Sequence, residues 1–401
     1  MIHTRTGNIM TTASKQAAQD YLGAENLILG SESGALALLD HALEQDPDFA
    51  LAMAARYMLA KDANDPGADD LKVKAQSLAE QAEPWEQAHI AVLIGLLADP
   101  YGNLPRTQDY VVHNPGDLLI ISQLCGYLIF YGGPQKLTRV LNILKASEAT
   151  LGDDWAFLAR LGFAVSEAGN SAQGREIQEK ALKLRPQSLY TIHGYAHILH
   201  DLGVPDESVS LIHTWLDSHR ATAEGGSLYG HLQWHLALAE WEVGQRDAAW
   251  ARYRRYCAPE STTCGPVLTL ADCGGFLLRD YLKTGETSSL SPAVTELTAR
   301  FEAMLAHPFI ALHVAGIHAA TDNLAGLESC AALIREKDAS DNRDLALQLV
   351  QAVTHFARSD YPQAAQILNQ ISSAQRIGVG GSYVERMLID LLESTALTHA
   401  A

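Results

Sequence analysis

Two pairs of histidines are the residues best suited to chemistry in this 401-residue chain. His193 and His197 lie in the string TIHGYAHILHDLG, and His231 and His235 lie in GHLQWHLALAEWEVG. Both strings have the composition of helices, and an i, i+4 spacing places the two imidazoles of each pair on one helical face. Two such faces brought together would form a cluster able to bind a metal ion, bind an anion or transfer protons.

A metal site is the first interpretation of these pairs. An i, i+4 histidine pair can chelate one ion because its Cβ atoms are only about 5–6 Å apart. Two pairs with a carboxylate suit zinc, or iron or manganese if the carboxylate also ligates. The sequence therefore predicts a divalent metal with these candidate ligands: His193, His197, His231, His235 and Asp272.

A zinc protease of the His-Glu-x-x-His type is disfavoured. That motif needs a glutamate directly after its first histidine as the general base. Here Gly194 follows His193, and Leu232 follows His231. A metal-free alternative uses the same histidines for proton transfer, because a carboxylate beside a buried imidazole fixes its tautomer and raises its basicity. No nucleophilic serine or cysteine signature accompanies them.

The same site has three further candidate residues: His313, Trp234 and Tyr195. If the protein is an enzyme, we expect metal- or histidine-dependent hydrolysis or proton transfer, with the paired histidines, Asp272 and His313 as catalytic residues. Trp234 and Tyr195 are predicted to line the pocket of a bound ligand or cofactor. The alternative is a buried polar cluster that only holds helices together, which also occurs in proteins.

The surrounding sequence predicts helices almost throughout. Ala- and Leu-rich segments with a period near 3.6 alternate with short turns of Gly, Asp, Asn and Pro. In SGALALLDHALEQDPDFALAMAARYMLAKD, one helix ends at Glu44, Asp46 and Pro47 form the turn, and a second helix follows. Strand signals are nearly absent, so we predict an all-α fold.

The same phrase recurs along the chain at a regular spacing. The strings ALEQDPDFALAMA, VVHNPGDLLIISQL and ALKLRPQSLYTIHGYA each contain a turn proline, namely Pro47, Pro115 and Pro186. The gaps between these prolines are close to twice the roughly 34-residue period of tetratricopeptide repeats. With Pro186 at the last repeat position, three small residues fall where paired helices should touch: Gly162, Gly174 and Ala181.

These features predict a tetratricopeptide-like array of helix–turn–helix repeats, a right-handed α-α superhelix whose middle repeats curl to face one another. One domain is expected over 15–399, after a disordered segment at 1–14. Two further repeat units are expected over 189–220 and 229–260. The stretch 355–371 has the pattern of a turn followed by the second helix of a repeat.

Irregular segments are expected around the histidines. They fall over 221–227, 257–275 and 284–293, where Gly, Ser, Thr and Pro accumulate. Asp272 is expected at the start of the helix that follows the second of these segments. Long loops in a compact array are often functional, so this region is the expected location of a site.

Composition restricts the compartment and the partners. A formal net charge of −18 argues against nucleic acid and anionic membrane surfaces as main partners. The polar N-terminus, in which Met10 is an alternative start, lacks the apolar core of a signal peptide, and five cysteines do not indicate a disulfide framework. We expect a cytoplasmic protein with a small-molecule ligand, or alternatively a non-catalytic scaffold that binds a partner peptide in its concave groove.

The histidine strings resemble the tetratricopeptide repeat protein 38 family. HGYAHILHDLG, HLQWHLALAEWEVGQRDAAWARY and LADCGGFLLRDYLKTG match its two histidine helices, Glu-x-Gly turn, Ala-Ala pair and buried aspartate. The matching positions are His193, His197, His231, Trp234, His235, Glu242, Gly244, Ala248, Ala249 and Asp272. The resemblance covers most of the chain and implies the fold and the position of the site. It implies no reaction, because the family has no established activity.

Other positions extend or limit this resemblance. His313 falls where the family has a histidine, and GGSYVER at 380–386 resembles its Gly-Gly-Ser stretch with a following arginine. Leu232 stands where the family usually has asparagine, and Ala311 where it often has an acidic residue. Both departures remove polar groups from the predicted cluster. Two nearby histidines match no family position: His200 and His318.

Overall fold

The structure, a computed structural model, describes residues 3–131, 133–289 and 291–400. These residues are predominantly helical, and the β pairing among them is an isolated bridge between His3 and Ile9. The predicted all-α fold is therefore confirmed. No helix within the described ranges is long and apolar enough to cross a lipid bilayer.

The N-terminal half forms helices joined by short turns. They are α1 (Lys15–Leu29), α2 (Ala35–Gln45), α3 (Ala50–Asp62), α4 (Ala68–Ala79), α5 (Pro84–Ala98), α6 (Pro100–His113), α7 (Leu118–Tyr131), α8 (Lys136–Leu151), α9 (Trp155–Glu167), α10 (Ser171–Leu184), α11 (Leu189–Asp201) and α12 (Pro205–Ala223). The predicted repeat unit over 189–220 corresponds to the pair α11 and α12.

The C-terminal half continues in the same way. Its helices are α13 (Tyr229–Glu242), α14 (Arg246–Arg252), α15 (Pro266–Thr284), α16 (Pro292–Arg300), α17 (Pro308–Ala320), α18 (Leu324–Arg335), α19 (Asp341–Ala357), α20 (Tyr361–Asn369), α21 (Ser373–Gly378), α22 (Tyr383–Arg386) and α23 (Leu388–Ala400). A π-helical turn, Tyr253–Cys257, extends α14. The units predicted near 229–260 and 355–371 are thus the pairs α13/α14 and α19/α20.

The helices group into two compact units. The first comprises Met1–Leu128, Thr138–Tyr195 and Trp215–Leu228, and the second comprises Ile129–Leu137, Ala196–Thr214 and Tyr229–Ala401. In the first unit, Arg5 forms ion pairs with Glu25 and Asp154. The domain bounds at residues 14 and 399 stay predictions.

The three turn prolines close the same local structure in the first unit. The residue before each proline adopts a non-helical conformation, because the proline ring disfavours a helical predecessor. These residues, Asp46, Asn114 and Arg185, end their helices at ψ angles of 92°, 61° and 83°. Each donates its N–H to the carbonyl four residues earlier at 2.9–3.0 Å. The recurring sequence phrase therefore corresponds to a recurring turn, as predicted.

The small residues predicted for the repeat contact lie where α9 and α10 touch. A Cβ built on Gly174 would lie 2.7 Å from the carbonyl oxygen of Gly162, and one on Gly162 would lie 3.0 Å from that of Gly174. Ala181 is fully buried on the same helix. The predicted close approach of this helix pair is confirmed.

The expectation of an irregular segment over 257–275 is wrong for its second half. Proline is favoured at the first position of a helix, and Pro266 begins α15 there. Asp272 consequently lies inside α15 and not at its start. Gly274 also lies inside α15. Glycine is required there because α17 leaves no room for a side chain: a Cβ would lie 2.6 Å from the carbonyl oxygen of His313.

We expect Gly174→Ala to lower the free energy of unfolding of the protein by about 1–3 kcal/mol, because a backbone oxygen must move to admit the methyl group. Gly126→Ala on α7 is the matched control, since a Cβ there meets nothing within 4 Å. That control should be neutral or stabilise by up to about 1 kcal/mol through helix propensity. Urea denaturation followed by circular dichroism measures both. Equal effects would contradict the close contact of α9 and α10.

Candidate functional site

Three of the four paired histidines converge inside the second unit. His197 lies on α11, and His231 and His235 lie one turn apart on α13. All three are buried. The Nε2 atoms of His197 and His235 are 3.1 Å apart, and one ring nitrogen of each residue lies within 4.8 Å of the others. The predicted meeting of two helical histidine faces is confirmed for these residues.

His193 lies one helical turn before His197 on α11, within the sequence of the first unit. Its side chain is less buried than that of His197. The i, i+4 spacing therefore pairs these two imidazoles along one helical face, as the sequence predicted. The chemical role of His193 stays a prediction.

Asp272 orients the ring of His231 through a contact with Nδ1. One carboxylate oxygen of Asp272 lies 2.6 Å from Nδ1 of His231, and Asp272 is completely buried on α15. A proton on Nδ1 donated to this carboxylate leaves the lone pair on Nε2. The indole of Trp234 stacks on the His231 ring at a centroid distance of 5.2 Å and donates to the Asp272 carbonyl at 2.9 Å. The imidazole of His231 is therefore fixed in both tautomer and orientation.

Burial and Asp272 act in opposite directions on the pKa of His231. Burial alone would lower this pKa, but the Asp272 carboxylate outweighs it and the net effect is a raised pKa. Burial also raises the pKa of Asp272, by more than His231 lowers it. The outer oxygen of Asp272 has no hydrogen-bond partner among the described residues. This pair can hold a proton, or present a basic Nε2 to a metal ion.

His313 occupies a different position from the converging histidines. Its Nδ1 donates to the Phe309 carbonyl at 2.7 Å, and its Nε2 has no hydrogen-bond partner within the described part of the chain. Burial lowers its pKa, so the ring is neutral. Its backbone touches Gly274. The structure brings His313 beside α15, and the predicted catalytic role stays a prediction.

Glu385 is the residue of this region that the sequence did not identify. It is buried, and one carboxylate oxygen accepts hydrogen bonds from the backbone and hydroxyl of Ser382 at 2.6 and 2.7 Å. The other oxygen is unbonded among the residues described. Burial and the contact between His231 and Asp272 have the largest effects on the pKa values of these two residues. The charge of Glu385 has a smaller effect, which raises both pKa values. Its sequence signal, Ser-x-x-Glu, is that of a helix capping box. That pattern gives no indication that Glu385 acts on the histidine cluster.

The two predicted pocket residues are placed differently. Trp234 is fully buried and forms a wall of the histidine cluster. Tyr195 lies in the first unit, where its hydroxyl donates to Glu179 at 2.7 Å and Arg175 lies over its ring. This arrangement favours a packing role for Tyr195. Its assignment to ligand binding stays a prediction.

A segment of the chain matches a known repeat family. A tetratricopeptide repeat family model matches residues 131–273, which span α11, α13 and the first turns of α15. The chain is 13% identical to the solved structure of a human IFIT1 dimer with m7Gppp-AAAA, covering 98% of this chain and 90% of that one at a TM-score of 0.42. It is also 13% identical to the P58(IPK) TPR domain, covering 95% and 98% at a TM-score of 0.21. The family-model match confirms the predicted tetratricopeptide-like repeat character over residues 131–273.

Asp272→Asn should reverse the shift in the pKa of His231. Asparagine keeps the size and an acceptor but removes the charge, so burial dominates and the pKa should fall below its ordinary value of about 6.5. In the wild type, a raised folded-state pKa adds stability below pH about 6.5 that is lost as pH rises through the raised value. NMR titration of ¹⁵N-labelled histidines in metal-free protein measures the pKa. An unchanged titration would show that another group sets it.

Proposed function

We propose that this helical repeat protein binds one divalent transition metal ion through His197, His231 and His235. The 3.1 Å separation between Nε2 of His197 and Nε2 of His235 carries the proposal. Two nitrogens bound at 2.0–2.1 Å to one tetrahedral zinc ion are about 3.3 Å apart. The two nitrogen atoms therefore already lie near the separation that a shared ion requires.

The contact between His231 and Asp272 supports the same proposal. A histidine ligand usually donates its second N–H to a carboxylate, which fixes the ring and raises its basicity. Because Nδ1 of His231 faces Asp272, its Nε2 is the atom available to an ion. Asp272 is then the partner of a ligand. An all-imidazole set favours zinc over the iron and manganese that carboxylate ligation would allow.

The number of ligands separates a structural from a catalytic ion. Four protein ligands close a tetrahedral site, whereas three leave a position for water. His193, from its i, i+4 spacing to His197, is the proposed fourth ligand of a closed site. For the three-ligand state we propose hydrolysis, since zinc in such a site lowers the pKa of bound water to about 7. Without metal, His231 and Asp272 form a pair suited to proton transfer.

Three further assignments are proposals on sequence grounds. Membership of the tetratricopeptide repeat protein 38 family is supported by the positions of Trp234, His235 and Asp272 in the strings quoted above. A cytoplasmic location is supported by the five cysteines, which do not indicate a disulfide framework. A small-molecule ligand is favoured over nucleic acid by the net charge of −18.

Protein stripped of metal and reloaded with zinc should retain one equivalent after gel filtration, measured by mass spectrometry of the elements. His235→Ala should weaken zinc affinity by at least about 100-fold, because structural zinc sites gain several kcal/mol per ligand. Asp272→Asn should weaken it by about 10–100-fold without changing the stoichiometry. His355→Ala, on α19 and paired with Asp360, is the control and should leave zinc affinity unchanged.

His193→Ala determines the ligand count. A loss of affinity as large as that of His235→Ala means four ligands, whereas little change means three and an open position. Circular dichroism of the metal-free variants separates loss of a ligand from loss of fold. Wild-type protein that retains no zinc, or equal zinc affinity in wild type, His197→Ala and His235→Ala, would contradict the metal proposal and leave a hydrogen-bonded polar core.

A further inference from the structure

A cleft of about 490 Å³ opens within the second unit, lined by residues of α13, α15 and α23. This volume lies in the range of small-molecule pockets, about 300–1,000 Å³. The walls are mainly apolar and include Leu238, Trp241, Leu282 and Leu391. None of the paired histidines lines this cleft. It is therefore a site distinct from the proposed metal centre.

Arg279 is the charged residue of the cleft that is most deeply buried. Its side chain is only 6% exposed. One terminal nitrogen of its guanidinium donates to the Gly275 carbonyl at 3.0 Å, and the other donates to the Val384 carbonyl. Glu242 and Glu385 act on it electrostatically, yet neither forms an ion pair with it in the described ranges. Among the described residues, the guanidinium is hydrogen-bonded to carbonyl groups and forms no ion pair with a carboxylate.

Burial lowers the pKa of Arg279 to about 10, so the side chain is still cationic at neutral pH. A buried cation is costly unless an anion accompanies it. A guanidinium has five N–H donors in a planar fork that matches a carboxylate. Two of these donors are used by the two carbonyls, and no described residue accepts a hydrogen bond from the other three.

We propose that this cleft binds a small organic monocarboxylate, with the carboxylate on Arg279 and the apolar body against Trp241 and Leu282. Lys283 lies at the mouth with its Nζ 4.2 Å from the centre of the Trp241 ring and adds a second positive charge. Glu242 lines the same cleft with one negative charge. Because two cationic side chains face one carboxyl group, the lining suits a singly charged acid over a phosphate ester or a neutral molecule.

The amphipathic lining determines which part of such a ligand gives affinity. The apolar body of the ligand gains affinity because its surface is removed from water. A charge-assisted hydrogen bond to a buried guanidinium contributes about 1.5–3 kcal/mol, which corresponds to a 10–100-fold change in affinity. Specificity for acid over amide should therefore exceed 10-fold.

The test compares 4-phenylbutyrate with its uncharged analogue 4-phenylbutanamide on metal-free protein, from which the chelator has been removed. Isothermal titration calorimetry and saturation-transfer NMR measure both. We expect the acid to bind at least 10-fold more tightly than the amide. This comparison needs no variant, and it can succeed or fail independently of zinc binding.

Two variants locate the site. Ser394→Trp fills the cleft from α23 and should abolish binding, whereas Leu397→Trp lies on the same helix at a 56% exposed position outside the cleft and should not. Arg279→Gln should remove the preference for the acid if the variant keeps its helical content. Equal affinity for acid and amide, equal effects of the two tryptophan variants, or no binding of acids from acetate to 4-phenylbutyrate would each overturn the proposal.

Discussion

The hydrogen bond between His231 and Asp272 is the interaction on which the polar centre of the second unit depends. Asp272 is completely buried, and a buried carboxylate persists only with a partner that offsets its lost hydration. The 2.6 Å contact with His231 supplies that partner. It also constrains the fold, because α13 and α15 must approach closely enough for the two side chains to meet.

One turn of α15 meets this constraint through residues with separate tasks. Asp272 faces α13, and Gly274 allows the backbone of α17 to approach, since a Cβ there would collide with His313. Gly275 lies under Trp234, where a Cβ would come within 3.1 Å of the indole. The sequence predicts an irregular segment at this Gly-Gly pair. In fact α15 packs against helices on two sides. The missing side chains of the two glycines allow the close packing that places Asp272 beside His231.

Local spacing explains which features could be predicted. The i, i+4 pairing, the turn prolines and the glycines of α9 and α10 depend on neighbours along one or two helices, and the sequence contains all of that information. Tyr195 shows that closeness in sequence does not place a residue in the same site. It is two positions from His193, so its side chain points about 200° away around the helix. Glu385 could not be assigned, because its place in the site depends on contacts between distant segments. One such contact involves Gly381, which precedes Glu385 in the same segment and has a φ of +71°. Its carbonyl accepts a hydrogen bond at 2.5 Å from Lys136, which is distant in the sequence.

Charge balance connects the two proposed sites. In the metal-free protein Asp272 hydrogen-bonds His231, and Glu385 acts electrostatically on both His231 and Arg279. A divalent ion bound to the histidines would add positive charge beside these groups. Arg279 lies 5.6 Å from the centre of the Trp234 ring, and Trp234 stacks on His231. The added charge is therefore close to the cleft, and binding of a metal should favour binding of a monocarboxylate there, with the reciprocal effect required by linkage.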